Sequence, residues 1–393
     1  MVATKTAVVG YSPNYVLSAP GKLMISGEWS VLEQGVPCLV VAVDSRVYAS
    51  IEEATTVEVV LRDFGVNTTG QLTPSGLELE DSNTVLLFTR YAVDVAVTYL
   101  RAKKVTIKSF RLETWADQTW VRDKAGKKLK VGFGSSAASV VAIIAAVLRL
   151  HDELILDGHE VALPSKTLLY KLGIIAHYEG QGKLGSGFDV AASAFGSGGG
   201  ALLYKRFDPD WLEKALKEKK LLQVLQMRWP LLEHRTIPLP ADLQLLVGFT
   251  GVSASTRKLV RQIRSFKQEN PTDYYRIINA LKTVTQRLAC AFEEDEGEER
   301  RILDLLEENR ILLRELSEVC SCQLEIPEHR LMSNIAARFG GVAKFSGAGG
   351  GDCAIGVCFS EEKGKKIIEG WEQAGLTPLD TSISPHGPRL EIS

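Results

Sequence analysis

The chain has 393 residues, 45% hydrophobic and 24% charged, with a formal net charge of −2. That balance supplies a large apolar core and argues against nucleic acid or an anionic membrane as the main partner. The six cysteines show no zinc-ligand spacing, since Cys320-Ser321-Cys322 leaves too short a gap, and they point to a reducing cytoplasm rather than a disulfide framework. The N-terminal residues lack the long apolar segment of a signal peptide, and no run of about 18 apolar residues predicts a transmembrane helix. The length suggests two domains.

In chain order, residues 14 to 19 lean toward an apolar strand. Pro20-Gly21-Lys22 breaks it, and Leu23 to Ser26 resumes as a short strand. Trp29 to Leu32 reads as a helical turn. Val36 to Val43 is a β-branched buried strand, and Val47 to Glu53 alternates as the next one, half exposed. Lys22 and Glu28 flank this opening. They form either an ordinary surface pair or a lysine aimed into a cleft and held there by the glutamate. Residues 55 to 83 read as irregular or hairpin structure, with turn signals at Asn67-Thr68-Thr69-Gly70 and Pro74-Ser75-Gly76. Thr84 to Lys103 has a helical apolar face, and Val105 to Glu113 alternates as a strand. Asp117 to Lys130 is polar and carries Lys124, Lys127, Lys128 and Lys130. It is either a solvated loop or one that attracts a polyanion.

The most informative stretch runs from Lys130 to Leu150, KVGFGSSAASVVAIIAAVLRL. Two glycines and two serines lead into an apolar helix. The first turn of a helix has free N–H groups and the positive end of the macrodipole, and glycines let a phosphate approach them. The alternative is a well-capped core helix. Ser165 to Glu179 reads as a second helix with Ser165 as N-cap. Glycines from Gly180 to Gly187 then precede Asp189, which is either an N-cap or a carboxylate placed to accept a proton near a bound anion. A boundary near residues 207 to 240 divides the chain into 1–235 and 236–393. Leu243 to Phe249 is a buried strand that ends in the hydroxyl-rich turn Thr250 to Thr256. The basic helix Arg257 to Lys267 follows and offers Arg257, Lys258 and Arg261 to a second anion. Residues 272 to 295 and 297 to 322 are amphipathic helices, and Pro327 to Gly340 is another. Strands at Val342 to Ser346 and Cys353 to Phe359 enclose Gly347-Ala348-Gly349-Gly350-Gly351-Asp352, whose glycines imply close backbone approach. Residues 361 to 374 read as a helix, and the tail as a last strand.

The chain has no G-x-x-x-x-G-K-[ST] loop, no Rossmann spacing and no protein-kinase motif set. Three elements, Pro20-Gly21-Lys22, the Gly132 to Ala138 loop and the Gly347 to Asp352 loop, bracket almost the whole chain. In that order they resemble the GHMP kinase superfamily of galactokinases, homoserine kinases, mevalonate kinases and phosphomevalonate kinases. Within it, Ser18 to Asp44, Lys183 to Ser197 and Gly248 to Ile263 are most similar to the phosphomevalonate kinases. Mevalonate kinases share the first and last motifs, but have a proline-containing segment where this chain has Leu184 to Asp189.

The resemblance implies a two-domain α+β fold. A ribosomal S5-like N-terminal domain and a ferredoxin-like C-terminal domain would enclose the active site. It implies ATP bound at Lys130, Gly132, Phe133, Gly134, Ser135, Ser136, Ala137 and Ala138, and Mg²⁺ on Ser136. Gln181, or Glu179 beside it, stands where some relatives carry an acidic metal ligand. Lys22 maps to the lysine near the transferring phosphoryl group, with Glu28 at the position that can pair with it. Asp189 maps to the base or electrostatic partner of the attacking oxygen. Gly347, Ala348, Gly349 and Gly350 would line the substrate. The expected reaction converts 5-phosphomevalonate to its diphosphate, with Lys183, Ser186, Gly187, Ser253, Ser255, Arg257 and Lys258 on the acceptor side. Mevalonate kinase is the nearest alternative. The intact Gly347 loop disfavours a decarboxylase of the superfamily, and Lys22, Ser136 and Asp189 together disfavour a non-catalytic binding module. A cytoplasmic monomer or homodimer without nucleic-acid or membrane partners is expected.

Overall fold

A computed structural model describes residues 14–118, 120–122, 128–182, 185–252, 256–294 and 297–392. Strand β1 (Tyr15–Ser26) pairs antiparallel with β2 (Pro37–Glu53). The four short strands expected in this region are therefore two long ones. The break signalled by Pro20-Gly21 is a shift of register, absorbed without ending either strand. Proline has no N–H to give to a ladder, so it sits where the ladder is already interrupted.

Strands β3 (Val57–Leu61), β4 (Val66–Thr73) and β5 (Gly76–Leu79) order the stretch expected to be irregular. Asn67 to Gly70 lies inside β4, while Thr73 pairs with Gly76 to close the hairpin at Pro74-Ser75. Helix α1 (Leu87–Ala102) and strand β6 (Phe110–Ala116) follow, the strand starting five residues later than Val105. The small hairpin β7 (Trp120–Arg122) and β8 (Lys128–Lys130) precedes helix α2 (Ser135–Leu150). Next come β9 (Leu156–Asp157), β10 (Glu160–Val161), α3 (Leu163–Gln181) and α4 (Phe188–Phe195). Ser165 does not cap α3. Ala162 holds the cap position with Pro164 at the helix start, and the Ser165 hydroxyl accepts from Ile155 N at 2.9 Å. Strand β11 (Ala201–Lys205), helices α5 (Pro209–Glu218) and α6 (Leu221–Gln226), and strand β12 (Glu233–Ile237) complete this half.

The second half contains β13 (Gln244–Phe249), α7 (Thr256–Glu269), α8 (Pro271–Glu293), α9 (Glu299–Val319), α10 (Pro327–Arg338), β14 (Val342–Phe345), β15 (Cys353–Cys358), α11 (Glu361–Gln373) and β16 (Thr377–Leu379). Its sheet is antiparallel in the order β14-β15-β13-β16. The larger sheet runs β5-β4-β3-β6-β2-β1-β17-β10-β9, where β17 (Arg389–Leu390) is the chain's last strand returning to the first half. Helix α2 packs on β1 and β2 with α1, α3 and α4 around it. Among the described residues no helix is long and apolar enough to cross a membrane.

The returning tail is held by a buried arginine. Arg46 is 4% exposed and donates from Nη2 to Gly387 O (2.7 Å) and Ser18 O (3.2 Å), and from Nε to Ser18 Oγ (2.8 Å). Replacing it strands several buried carbonyls. An Arg46→Met variant is expected to lose about 3 kcal/mol of stability, read as a lower urea midpoint at unchanged m-value.

Candidate active site

The register shift in β1 creates the site. At the bulge Lys22 N turns from β2 and donates to Phe133 O at 2.8 Å, joining β1 to the loop ahead of α2. Gly21 permits this approach, because a Cβ there would stand 2.8 Å from Ser45 O and 3.0 Å from Phe133 O. The Lys22 side chain, 8% exposed, lies along Gly134. A Cβ on Gly134 would come within 3.0 Å of Lys22 Cε. Its Nζ donates to Gly132 O (3.3 Å) and lies 5.7 Å from the Phe188 ring centroid.

Gly134 adopts φ 74° as the N-cap of α2, and no side chain caps this helix. The Ala137 and Ala138 amides both bond to Gly134 O, at 3.0 and 3.2 Å. Ser135 and Ser136, directly before them in the same turn, line a cavity of about 550 Å³. The positive end of the helix dipole therefore faces open space rather than a protein anion. Across the cavity, Gly187 (φ 77°) caps α4, and Asp189 follows in its first turn, half-buried. Asp189 is not the cap. Its Oδ1 accepts from Val190 N at 2.9 Å, and the residue lines the cavity.

The structure corrects the expected Lys22–Glu28 pair. Glu28 is 1% exposed, and its carboxylate bonds the ammonium of Lys344 on β14. The turn after it, with Trp29 at φ 62°, leads the chain away from β1. A buried carboxylate needs a buried partner, and Lys22 at the cavity edge is not that partner. Burial pushes the Glu28 carboxyl up and the Lys344 ammonium down, and their mutual attraction opposes both shifts. Among the described residues no carboxylate lies within ion-pair distance of Lys22.

The glycine loop between β14 and β15 closes the other side. Gly347 and Ala348 line the cavity. Gly349 and Gly350 turn away toward the end of α9, where Gly350 N donates to Leu324 O at 2.7 Å and a Cβ on Gly349 would meet that oxygen at 2.6 Å. The Asp352 side chain presses on Gly132, where a Cβ would come within 2.9 Å of the Asp352 Cβ. The two glycine loops meet at that contact.

Residues 91–197 match the family described as GHMP kinases N terminal domain, and residues 298–376 match GHMP kinases C terminal. The chain thus carries matches to both the N-terminal and the C-terminal domain of the GHMP kinases. It is 28% identical over 392 residues to a phosphomevalonate kinase of Streptomyces sp., covering 96% of this chain and 97% of the relative. It is equally 28% identical over 392 residues to a mevalonate kinase of Pyrococcus abyssi, covering 96% and 98%. The Streptococcus pneumoniae phosphomevalonate kinase in complex with phosphomevalonate and AMPPNP superposes with a TM-score of 0.76 at 25% identity, covering 93% of this chain and 99% of that one.

Not every expected residue reaches the cavity. Lys22, Glu28, Gly132, Gly134, Ser135, Ser136, Ser186, Gly187, Asp189, Gly347 and Ala348 line it. Phe133 is 3% exposed and packs with Leu23, Ile25 and Val131, while Ala137 and Ala138 are fully buried in the core beneath α2. Lys258 is exposed and lies off the cavity wall, and Glu179 is exposed near Asp94, whose carboxyl burial pushes up with a smaller contribution from Glu179. Lys183, Ser253 and Ser255, and the side chains of Lys130, Gln181 and Arg257, lie outside the described residues. Four polar residues that the sequence did not assign to the site do line the cavity: His177 of α3, Arg264 of α7, Ser346 and Asp352. Arg264 had a signal. It stands four residues after Val260, also on the cavity, and beside the buried stripe Leu259, Ile263 and Phe266.

Among the described residues no three His, Cys, Asp or Glu side chains gather as a metal site. The side-chain oxygen donors on the cavity wall include the serine hydroxyls and the carboxylates of Asp189 and Asp352, while the Glu28 carboxylate bonds Lys344. That set fits Mg²⁺, which keeps several waters and takes phosphate oxygens alongside one or two protein ligands. A Gly134→Ala variant combines a left-handed φ with a clash against Lys22. It is expected to lower kcat/KM for phosphoryl transfer at least tenfold, with the circular dichroism spectrum retained.

Proposed function

We propose that this chain is a GHMP kinase that transfers the γ-phosphoryl group of ATP to the phosphate of 5-phosphomevalonate, giving ADP and 5-diphosphomevalonate. One observation carries the reading: Lys22, the uncapped N-terminus of α2, Asp189 and Arg264 all face a single cavity. The similarity to phosphomevalonate kinases in sequence and in fold supports it.

Phosphoryl transfer needs positioning and charge stabilisation more than covalent help. The α2 N-terminus holds the triphosphate of ATP on backbone amides. Lys22, which among the described residues is in no ion pair, brings an ammonium to the group in flight. Ser136 and Asp189 are the side chains that would hold Mg²⁺, which would supply further charge neutralisation to the transferring phosphate. A phosphate-monoester acceptor is already largely deprotonated near pH 7, so Asp189 need not take a proton from it. A hydroxyl acceptor such as mevalonate would need Asp189 as base. Arg264 presents a planar fork suited to the acceptor's phosphate, from a helix rather than a loop.

A coupled ADP-release assay with both acceptors tests the reading. The expected result is a kcat/KM at least 100-fold higher for phosphomevalonate. A preference for mevalonate would make the chain a mevalonate kinase, and turnover of neither would sink both readings. Arg264→Ala is expected to raise KM for phosphomevalonate about tenfold, or about 1.4 kcal/mol, with KM for ATP unchanged.

A further inference from the structure

We propose that Glu28 and Lys344 are positioning residues: their buried ion pair fixes the glycine loop at Gly347 against the cavity and keeps Lys22 free for the phosphoryl group. The inference rests on the kinase reading of the site.

The two side chains are 0% and 1% exposed and 316 residues apart in the chain. Lys344 Nζ bonds the Glu28 carboxylate and also donates to Phe345 O at 2.9 Å. The backbone amide of Gly347, the first glycine of the loop, lies near the same carboxylate and helps to hold its pKa down against the larger, opposing effect of burial. The anion therefore holds the strand that leads into the loop and sits beside the loop's leading edge. A parallel tie runs from Met24 N to the Ser346 hydroxyl at 2.8 Å. Both ties come from β1 and the turn after it, the segment that carries Lys22.

A buried charge pair is a poor way to gain stability, because apolar residues of the same size usually serve as well or better. What the pair offers is geometry. Two charges out of water tolerate one arrangement, and a packed apolar contact tolerates several. The residue after Glu28 bears the cost of that arrangement, since Trp29 is held at φ 62°, where a bulky side chain rarely sits. Commitment of Glu28 to Lys344 has a second effect. The glutamate six residues from Lys22 is thereby kept from pairing with it, and among the described residues Lys22 is in no ion pair.

The test uses the full chain in three forms: the isosteric Glu28→Gln, Lys344→Met, and the apolar double variant Glu28→Leu with Lys344→Met. Amide hydrogen exchange at residues 346–351 is measured without substrate, alongside melting temperature and steady-state kinetics. The single variants are expected to exchange faster in the loop and to lose kcat at least tenfold. The double variant is expected to recover the melting temperature to within about 3 °C of the parent while kcat stays at least tenfold low. Joint recovery of stability and kcat in the double variant would show a purely structural pair and overturn the proposal. If the double variant does not fold, Glu28→Gln decides alone, and unchanged loop exchange with unchanged kcat overturns the proposal. A parent protein that phosphorylates neither acceptor would refute the kinase reading, whereas the exchange data would still judge the pair.

Discussion

The site depends on the hydrogen bond from Lys22 N to Phe133 O. It forms because β1 slips its register against β2 at Pro20 and Gly21, which frees one amide from the ladder. Each residue of this Pro-Gly-Lys segment has its own physical task. Proline marks the interrupted ladder, glycine admits the neighbouring backbone, and lysine lies along Gly134 toward the cavity. The loop held by this bond opens α2, and 12 of that helix's 16 residues are buried. The N-terminus of α2 cannot shift without disturbing the core between the large sheet and α1, α3 and α4, so the anion-binding end is preorganised by packing.

The charges of the site divide into spent and available. Lys344 is spent on Glu28, and Lys171 on the carbonyls of Leu225 and Met227 at 2.7 and 2.8 Å. Arg46 is spent on the returning tail. Lys22 and Arg264 remain on the cavity wall, Lys22 within reach of the α2 N-terminus and Arg264 on a helix of the other half. A site that receives a polyanion needs cations of this second kind, because one already paired inside the protein adds little field at the ligand.

What could be read from the sequence follows from how local each signal is. Both glycine loops were visible because close backbone approach requires glycine at particular positions, as at Gly132 and Gly349. The buried helix after Ser136 was visible because an uninterrupted apolar run of that length has few alternatives. The partner of Glu28 was not visible. Lys344 lies 316 residues away, and nothing in a lysine between apolar neighbours announces a buried ion pair. Strands β3 to β5 were obscured because their outward faces are polar, which weakens a strand signal to that of a loop. Phe133, Ala137 and Ala138 share the phosphate loop's sequence but belong to the core, since the chain turns inward within one helical turn. Sequence order alone cannot separate the residue whose amide faces a ligand from the residue whose side chain packs below it.

The same geometry suggests why transfer machinery and acceptor choice can be separate properties of such a fold. Lys22, Ser136 and Asp189 belong to β1, α2 and α4, which are bound into the first half by backbone pairing and core packing. Arg264 and Val260 belong to α7, whose buried stripe of Leu259, Ile263 and Phe266 docks on Trp29 and α8. Residues on the cavity face of α7 can change without altering the stripe that anchors the helix, and so without moving the α2 N-terminus. On the proposed function an arginine there would select an anionic acceptor, and an uncharged residue on the same face would remove that selection while leaving the α2 N-terminus in place. On the proposed reading, the choice between a phosphorylated acceptor and its alcohol precursor lies on α7, whereas the residues assigned to phosphoryl transfer lie on β1, α2 and α4.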